Sequence, residues 1–237
     1  LFRSNKNFWD EIDQCLNDIR YIEFTGGEPF LIQEHFDMLQ GIVDRGIAHQ
    51  VEIHYNTNGT QYPEHAEAIW SHFKNVEIAF SIDDLNSRFE YQRTNAVWAE
   101  VVANIERFRQ MRARNTNITL QCCSTVNIFN IMYITELAEW IDQQDFDYVY
   151  WNMLHEIWYF SIASLPSDVK LNIAQRLIMQ NIPDRHMVEF GRMVDFMRNG
   201  ESSNGQDMLN RIRELDQLRN QNLRSVAPEL ANIIGYE

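Results

Sequence analysis

Three short motifs carry residue types that could do chemistry. The first is Thr25-Gly26-Gly27-Glu28-Pro29, at the end of an apolar stretch. Backbone without side chains lets a ligand approach closely, and Glu28 places a carboxylate beside it. The same residues also make an ordinary strand-to-helix turn: glycines for unusual φ/ψ, Glu28 for the helix dipole and Pro29 for the first helical turn. The second motif is Asn56-Thr57-Asn58-Gly59, whose Asn-Gly pair also fits plain turn chemistry. The third is Ser81-Ile82-Asp83, followed by Asp84, where the carboxylates could bind hydroxyls or simply cap the next segment. Arg93 lies ten residues beyond Asp83, and a guanidinium fork there matches a carboxylate bidentately.

Each motif closes a predicted strand. Strands are expected at 21–25, 51–56, 76–82, 118–126 and 148–154, alternating with helices at 8–19, 29–44, 63–73, 98–114 and 131–143. That βα rhythm implies a parallel sheet with right-handed crossovers. Buried parallel strands usually read as continuous apolar runs, but these alternate. Val51, Ile53 and Tyr55 oppose Glu52, His54 and Asn56; Val76, Ile78, Phe80 and Ile82 oppose Glu77, Ala79, Ser81 and Asp83. Ile118, Leu120, Cys122 and Val126 oppose Thr119, Gln121, Cys123, Thr125 and Asn127. A sheet covered by helices on both faces cannot easily hide Glu23, Glu52, Glu77 and Gln121. A partly closed barrel with a polar lumen can. Its ligands bind at the carboxyl ends of the strands, where the three motifs fall. By parity, Glu52, His54, Gln121 and Asn127 are the substrate-facing candidates, with Cys123 beside them. After residue 154 the strand signal stops, and helices are expected at 168–180, 185–198 and 207–220, with residues 199–205 as loop or linker.

Composition bounds the function. The chain has 237 residues, 45% hydrophobic, 12% aromatic and 23% charged, which is globular composition. Twenty basic against 34 acidic side chains give a net charge of −14, which argues against nucleic acid as a partner. No apolar run is long enough for a membrane span. Cys15, Cys122 and Cys123 form neither a disulfide framework nor a metal-ligand spacing, so a reduced, cytoplasmic compartment is expected.

Taken in order, the three motifs resemble the radical S-adenosylmethionine (SAM) enzymes, whose pattern has Gly-Gly-Glu-Pro, Thr-Asn-Gly and Ser-Ile/Leu-Asp after successive barrel strands. The stretch from Arg93 through Trp98, Val101 and Asn104-Ile105 is similar to the segment that follows in that family. Val126-Asn127, Leu165-Pro166 and Pro228-Glu229-Leu230 resemble members with a short twitch-type extension. The resemblance implies an α/β fold: an incomplete (β/α)6 partial TIM-like barrel over residues 1–155, with a C-terminal helical extension over 156–237. It implies S-adenosylmethionine as cofactor. Gly26, Gly27 and Glu28 would hold the methionine amino group, Asp83 with Ser81 the ribose hydroxyls, and Arg93 the carboxylate. Val126 and the segment near Met153 would flank the adenine, and Asn56 joins the cofactor-binding set.

The departure is in the cysteines. The family's [4Fe–4S] cluster is held by Cys-x-x-x-Cys-x-x-Cys, which the sequence lacks. The chain opens at Leu1, so the expectation is a fragment whose first strand and cluster loop lie upstream. The intact enzyme would take an electron from a donor, cleave S-adenosylmethionine reductively and use the 5′-deoxyadenosyl radical to abstract hydrogen from a peptide or small molecule. These residues alone would not. No cysteine follows residue 156, which argues against a second cluster. An alternative is a non-catalytic barrel of the same type used as a binding or interaction module. A third is an unrelated barrel enzyme binding a metal through Glu28, Asp83 and His54. An unpaired edge along residues 21–25 also offers a route to dimerisation.

Overall fold

The computed structural model describes residues 11–12 and 15–237. Residues 8–10, 13 and 14 of the helix expected over 8–19 lie outside the described residues; residues 11, 12 and 15 are helical, and a 3-10 turn, Leu16–Asp18, ends that stretch. Five strands form one sheet in the order β1-β2-β3-β4-β5: β1 (Tyr21–Phe24), β2 (Glu52–Thr57), β3 (Asn75–Ser81), β4 (Ile118–Val126) and β5 (Tyr148–Met153). The pairings β1–β2 and β2–β3 are parallel, with Glu23 opposite His54 and His54 opposite Glu77. The sheet is α/β, parallel and not closed.

The helices are α1 (Gln33–Asp44), α2 (Ala66–Trp70), α3 (Asn86–Gln92), α4 (Trp98–Arg114) and α5 (Ile134–Gln143), then α6 (Ser167–Met179), α7 (Met187–Asn199), α8 (Gln206–Arg219), α9 (Leu223–Val226) and α10 (Pro228–Ile233). By contacts the chain divides into two compact units. One holds residues 1–81 and 99–122, the other 82–98 and 123–237.

In the first unit the apolar parity set of β2 and β3 is buried: Val51, Ile53, Tyr55, Val76, Ile78 and Phe80. α4 adds Val101, Ile105, Phe108 and Met111, at helical spacing. Phe30, Tyr55, Trp70 and Phe108 stack with ring centroids 5.1–6.4 Å apart, and Phe24 lies flat on Tyr55 at 4.9 Å. In the second unit Ile134, Leu137, Ala138 and Ile141 of α5 are buried, and Trp98 packs on Phe89 and Trp140.

Three expectations need adjusting. The helix expected from Pro29 is a 3-10 turn, Pro29–Leu31, separated from α1 by Ile32 in an extended conformation. The helix expected over 63–73 shrinks to α2, because His72 and Phe73 bond to carbonyls three residues back and tighten its end. Of residues 199–205, Asn199 ends α7 and 200–205 are a loop but not a free linker: Lys170 Nζ donates to the Gly200 carbonyl at 2.9 Å, and Ser203 Oγ to the Ser164 carbonyl at 2.7 Å. The expected reading also missed α3, whose polar sequence buries only Phe89 and Tyr91.

Candidate functional site

The loop after β1 is built around its glycines. Gly26 and Gly27 have φ of +78° and +54°, a region that side chains strongly disfavour. A Cβ at either would meet no heavy atom within 4 Å, so the backbone borders open space. Pro29 starts the 3-10 turn, and Glu28 caps it by accepting from Phe30 N–H at 3.4 Å.

The Glu28 carboxylate is chiefly a tie. It accepts from Thr57 Oγ1 at 2.8 and 3.0 Å and from Asn58 N–H at 3.0 Å, so it joins the loop after β1 to the turn after β2. Within that turn, Thr57 Oγ1 accepts from Gly59 N–H, and Asn58 Oδ1 accepts from the Thr60 N–H and hydroxyl. Gly59, at φ +76°, is required for packing as well: a Cβ there would sit 3.0 Å from Val101 and 3.4 Å from Phe80. Thr57 is thus a positioning residue that sequence reasoning missed, though it sits inside a motif already singled out.

The polar face of the first unit is real but internally paired. His54 Nδ1 lies 3.0 Å from Glu77 Oε1, across the β2–β3 register. Asn56 Nδ2 reaches Glu23 Oε1 at 3.4 Å. Glu52 stands at the amino end of β2, opposite to the end that carries Asn56 and Thr57, and pairs with Lys74 at 2.5 Å. That position removes the reason for placing Glu52 against a substrate. Gln121 and Ser81 are half-buried.

The second unit holds a denser constellation around Asp83, which is 7% exposed. Its Oδ1 accepts from Thr125 N–H at 2.8 Å and its Oδ2 from Arg93 Nη2 at 2.6 Å. Arg93 Nε is buried with no partner among the described residues. Asn130, fully buried, donates to the carbonyls of Asp83 at 2.7 Å and Thr125 at 2.9 Å, and accepts from Asn127 N–H at 2.9 Å. The Asn127 side chain is spent on Gln92, the Thr125 carbonyl and Phe129 N–H. Gln92 continues to Asp84, which Arg88 holds through Nε at 2.9 Å. Burial pushes the Asp84 carboxyl up, against the pull of Arg88.

A cavity of about 320 Å³ opens beside this network, lined by Asp83, Gln92, Thr125, Asn127 and the apolar Phe129, Leu154 and Phe160. That volume is at the lower end for small-molecule sites. Val126 does not line it. Its side chain is fully buried on the core face of β4, and its carbonyl accepts from Leu154 N–H. Thr125, Asn130 and Gln92 were missed by sequence reasoning; only an Asn-x-x-Asn spacing from 127 to 130 hinted at the bridging pair.

The cysteines do not converge. Cys15 is exposed, Cys122 is buried and Cys123 is half-buried. Burial and the charge of Asp83 push the Cys123 thiol up, which keeps it protonated. Among the described residues no three His, Cys, Asp or Glu side chains are placed to hold a metal ion.

A family model for the radical SAM superfamily matches residues 2–139. Solved structures share the fold. One described as native anSMEcpe with bound AdoMet is 16% identical, with a TM-score of 0.54 over 92% of this chain and 58% of that one. Another, with bound AdoMet and Cp18Cys peptide, is 15% identical, with a TM-score of 0.52 over 84% of this chain and 55% of that one. A third, with Kp18Cys peptide, is 14% identical, with a TM-score of 0.53 over 84% and 54%. The chain therefore spans just over half the length of these proteins. No curated protein sequence matches it.

Proposed function

Because the chain belongs to the radical SAM superfamily, we propose that residues at the carboxyl ends of its strands bind and orient S-adenosylmethionine. The observation that carries this reading is the Asp83–Arg93 pair. Asp83 is fixed by Thr125 N–H and Arg93, and its remaining lone pairs suit the ribose hydroxyls, with Ser81 nearby in sequence. Arg93, whose side chain is 26% exposed, gives Nη2 to Asp83 and keeps further guanidinium N–H groups for the ligand carboxylate. Within the first unit, Gly26 and Gly27 border open space and Glu28 holds their loop to Thr57 and Asn58; the family resemblance gives that loop the methionine amino end. Val126, expected to flank the adenine, is assigned no contact with it, since its side chain is buried on the core face of β4.

On an intact enzyme, a [4Fe–4S] cluster charged by an electron donor would supply the one electron that splits S-adenosylmethionine into methionine and a 5′-deoxyadenosyl radical, which would take hydrogen from substrate. Cys15, Cys122 and Cys123 do not fit such a cluster, so cleavage is not assigned to these 237 residues. Two structures of similar fold carry peptides beside AdoMet, which supports a peptide or small molecule as substrate. The missing cluster motif equally supports a second reading, a barrel of this family that binds without catalysing.

Calorimetric titration tests the binding. The chain should bind S-adenosylmethionine, and 5′-methylthioadenosine (which lacks the amino-acid end) more weakly. Arg93→Lys should weaken S-adenosylmethionine about tenfold more than 5′-methylthioadenosine, because only the former presents a carboxylate, whereas both share any loss at Asp83. No binding by the unmodified chain, or equal loss for both ligands, would overturn the assignment.

A further inference from the structure

The segment after β5 faces two cavities of the same compact unit. Leu154, Ile157 and Phe160 face the cavity at Asp83. His155, Trp158 and Ser161 face a second one of about 550 Å³, whose other wall is Phe196 and residues 201–203.

That second wall is held in place. Buried Lys170 donates to the Gly200 carbonyl at 2.9 Å. Ser203 N–H and Oγ donate to the Ser164 carbonyl at 2.9 and 2.7 Å. Gly200 is pressed so closely on Ala163 that a Cβ would lie 2.5 Å from it. An exposed polar loop is thereby fixed, and Glu201 and Ser202 are presented in one arrangement, which lowers the ordering cost of binding.

The lining has a definite chemistry. Most of the serine hydroxyls are spent on local backbone: Ser161 Oγ accepts from Ala163 N–H, and Ser164 Oγ donates to the Trp158 carbonyl. Glu201 has no cationic partner among the described residues, and the lining contains no lysine or arginine. Trp158 is 48% exposed, and the His155 and Phe196 rings meet edge to face at 4.7 Å. A carboxylate beside aromatic surface recognises an alkyl cation, through charge and through the ring quadrupole. The cavity is larger than one side chain, which leaves room for main chain beside it.

We infer that this cavity binds the cationic side chain, lysine or arginine, of a peptide. The inference does not rest on S-adenosylmethionine binding.

A two-dimensional NMR titration of the 237-residue chain tests it with four probes: Nα-acetyl-lysine amide, Nα-acetyl-arginine amide, Nα-acetyl-norleucine amide and putrescine. The lysine and arginine amides should shift the Trp158 indole and His155 ring signals, with Trp158→Phe identifying the former. Glu201→Gln should weaken both about tenfold while S-adenosylmethionine binding stays unchanged. Norleucine amide binding as tightly as lysine amide, or an unaltered Glu201→Gln variant, would overturn the cationic subsite. Putrescine binding more tightly than either blocked amino acid would overturn the peptide as its source.

Discussion

Glu28 and His35 illustrate how much of a residue's work is set by what surrounds it. Glu28 sits in the motif expected to touch ligand, yet its oxygens serve Thr57, Asn58 and Phe30. His35 carries an imidazole into an aromatic core. Its Nδ1 lies 2.6 Å from the Ile32 carbonyl, which only accepts, so the proton is on Nδ1 and Nε2 accepts from the Tyr55 hydroxyl at 3.1 Å. Burial pushes its pKa down to about 4. The unfolded chain therefore binds this proton more readily, and the His35 contribution to stability is present above pH 6.5 and lost as pH falls through 4. Between pH 7 and 4.5 the loss should be about 2–3 kcal/mol. Urea unfolding of His35→Gln at the two pH values should show a correspondingly smaller difference; an undiminished one would mean that another group controls it.

At the scale of elements, the alternating strands predicted one apolar and one polar face, and the structure keeps both. The buried set of β2 packs on rings, while His54 pairs with Glu77 on the other face. What alternation could not convey is the loop after β4. There Asn130 bridges Asn127, Thr125 and Asp83, and so fixes the carboxylate proposed for the ribose. Asn130→Ala should cost about 2–4 kcal/mol, since it removes a buried side chain that satisfies several backbone groups. It should also weaken 5′-methylthioadenosine as much as S-adenosylmethionine, unlike Arg93→Lys. Denaturation midpoints and titration of the same preparation check the two effects. Unchanged stability would show that the bridge is dispensable.

At the scale of the molecule, charge dominates. A net charge of −14 means self-repulsion in the folded state, and the surface ion pairs, such as Arg176–Glu229 and Arg192–Glu189, are too exposed to offset much of it. Raising NaCl from 10 to 200 mM shortens the screening length several-fold. The expected result is a rise in Tm of about 2–4 °C, equivalent to roughly 1 kcal/mol. Differential scanning calorimetry reads it, and a fall in Tm would show that attractive pairs outweigh the repulsion. Among the described residues no helix is long and apolar enough to cross a membrane, as the absence of any long apolar run implied.

The sequence by itself determined the family, the alternation of strands and helices, and the glycine turns. Local periodicity and φ-demanding residues are written into short stretches, and Thr25 to Asn104 contains nearly all of them. Tertiary structure decided which polar groups are free. Asn127 and Glu28 look alike in sequence as candidate ligand contacts, but each is spent on a partner from another segment. Glu52 shares parity with His54, yet lies at the wrong end of its strand beside Lys74. Side-chain parity assigns a face and not a position along it, and a hydrogen bond between distant segments leaves no trace in either one alone.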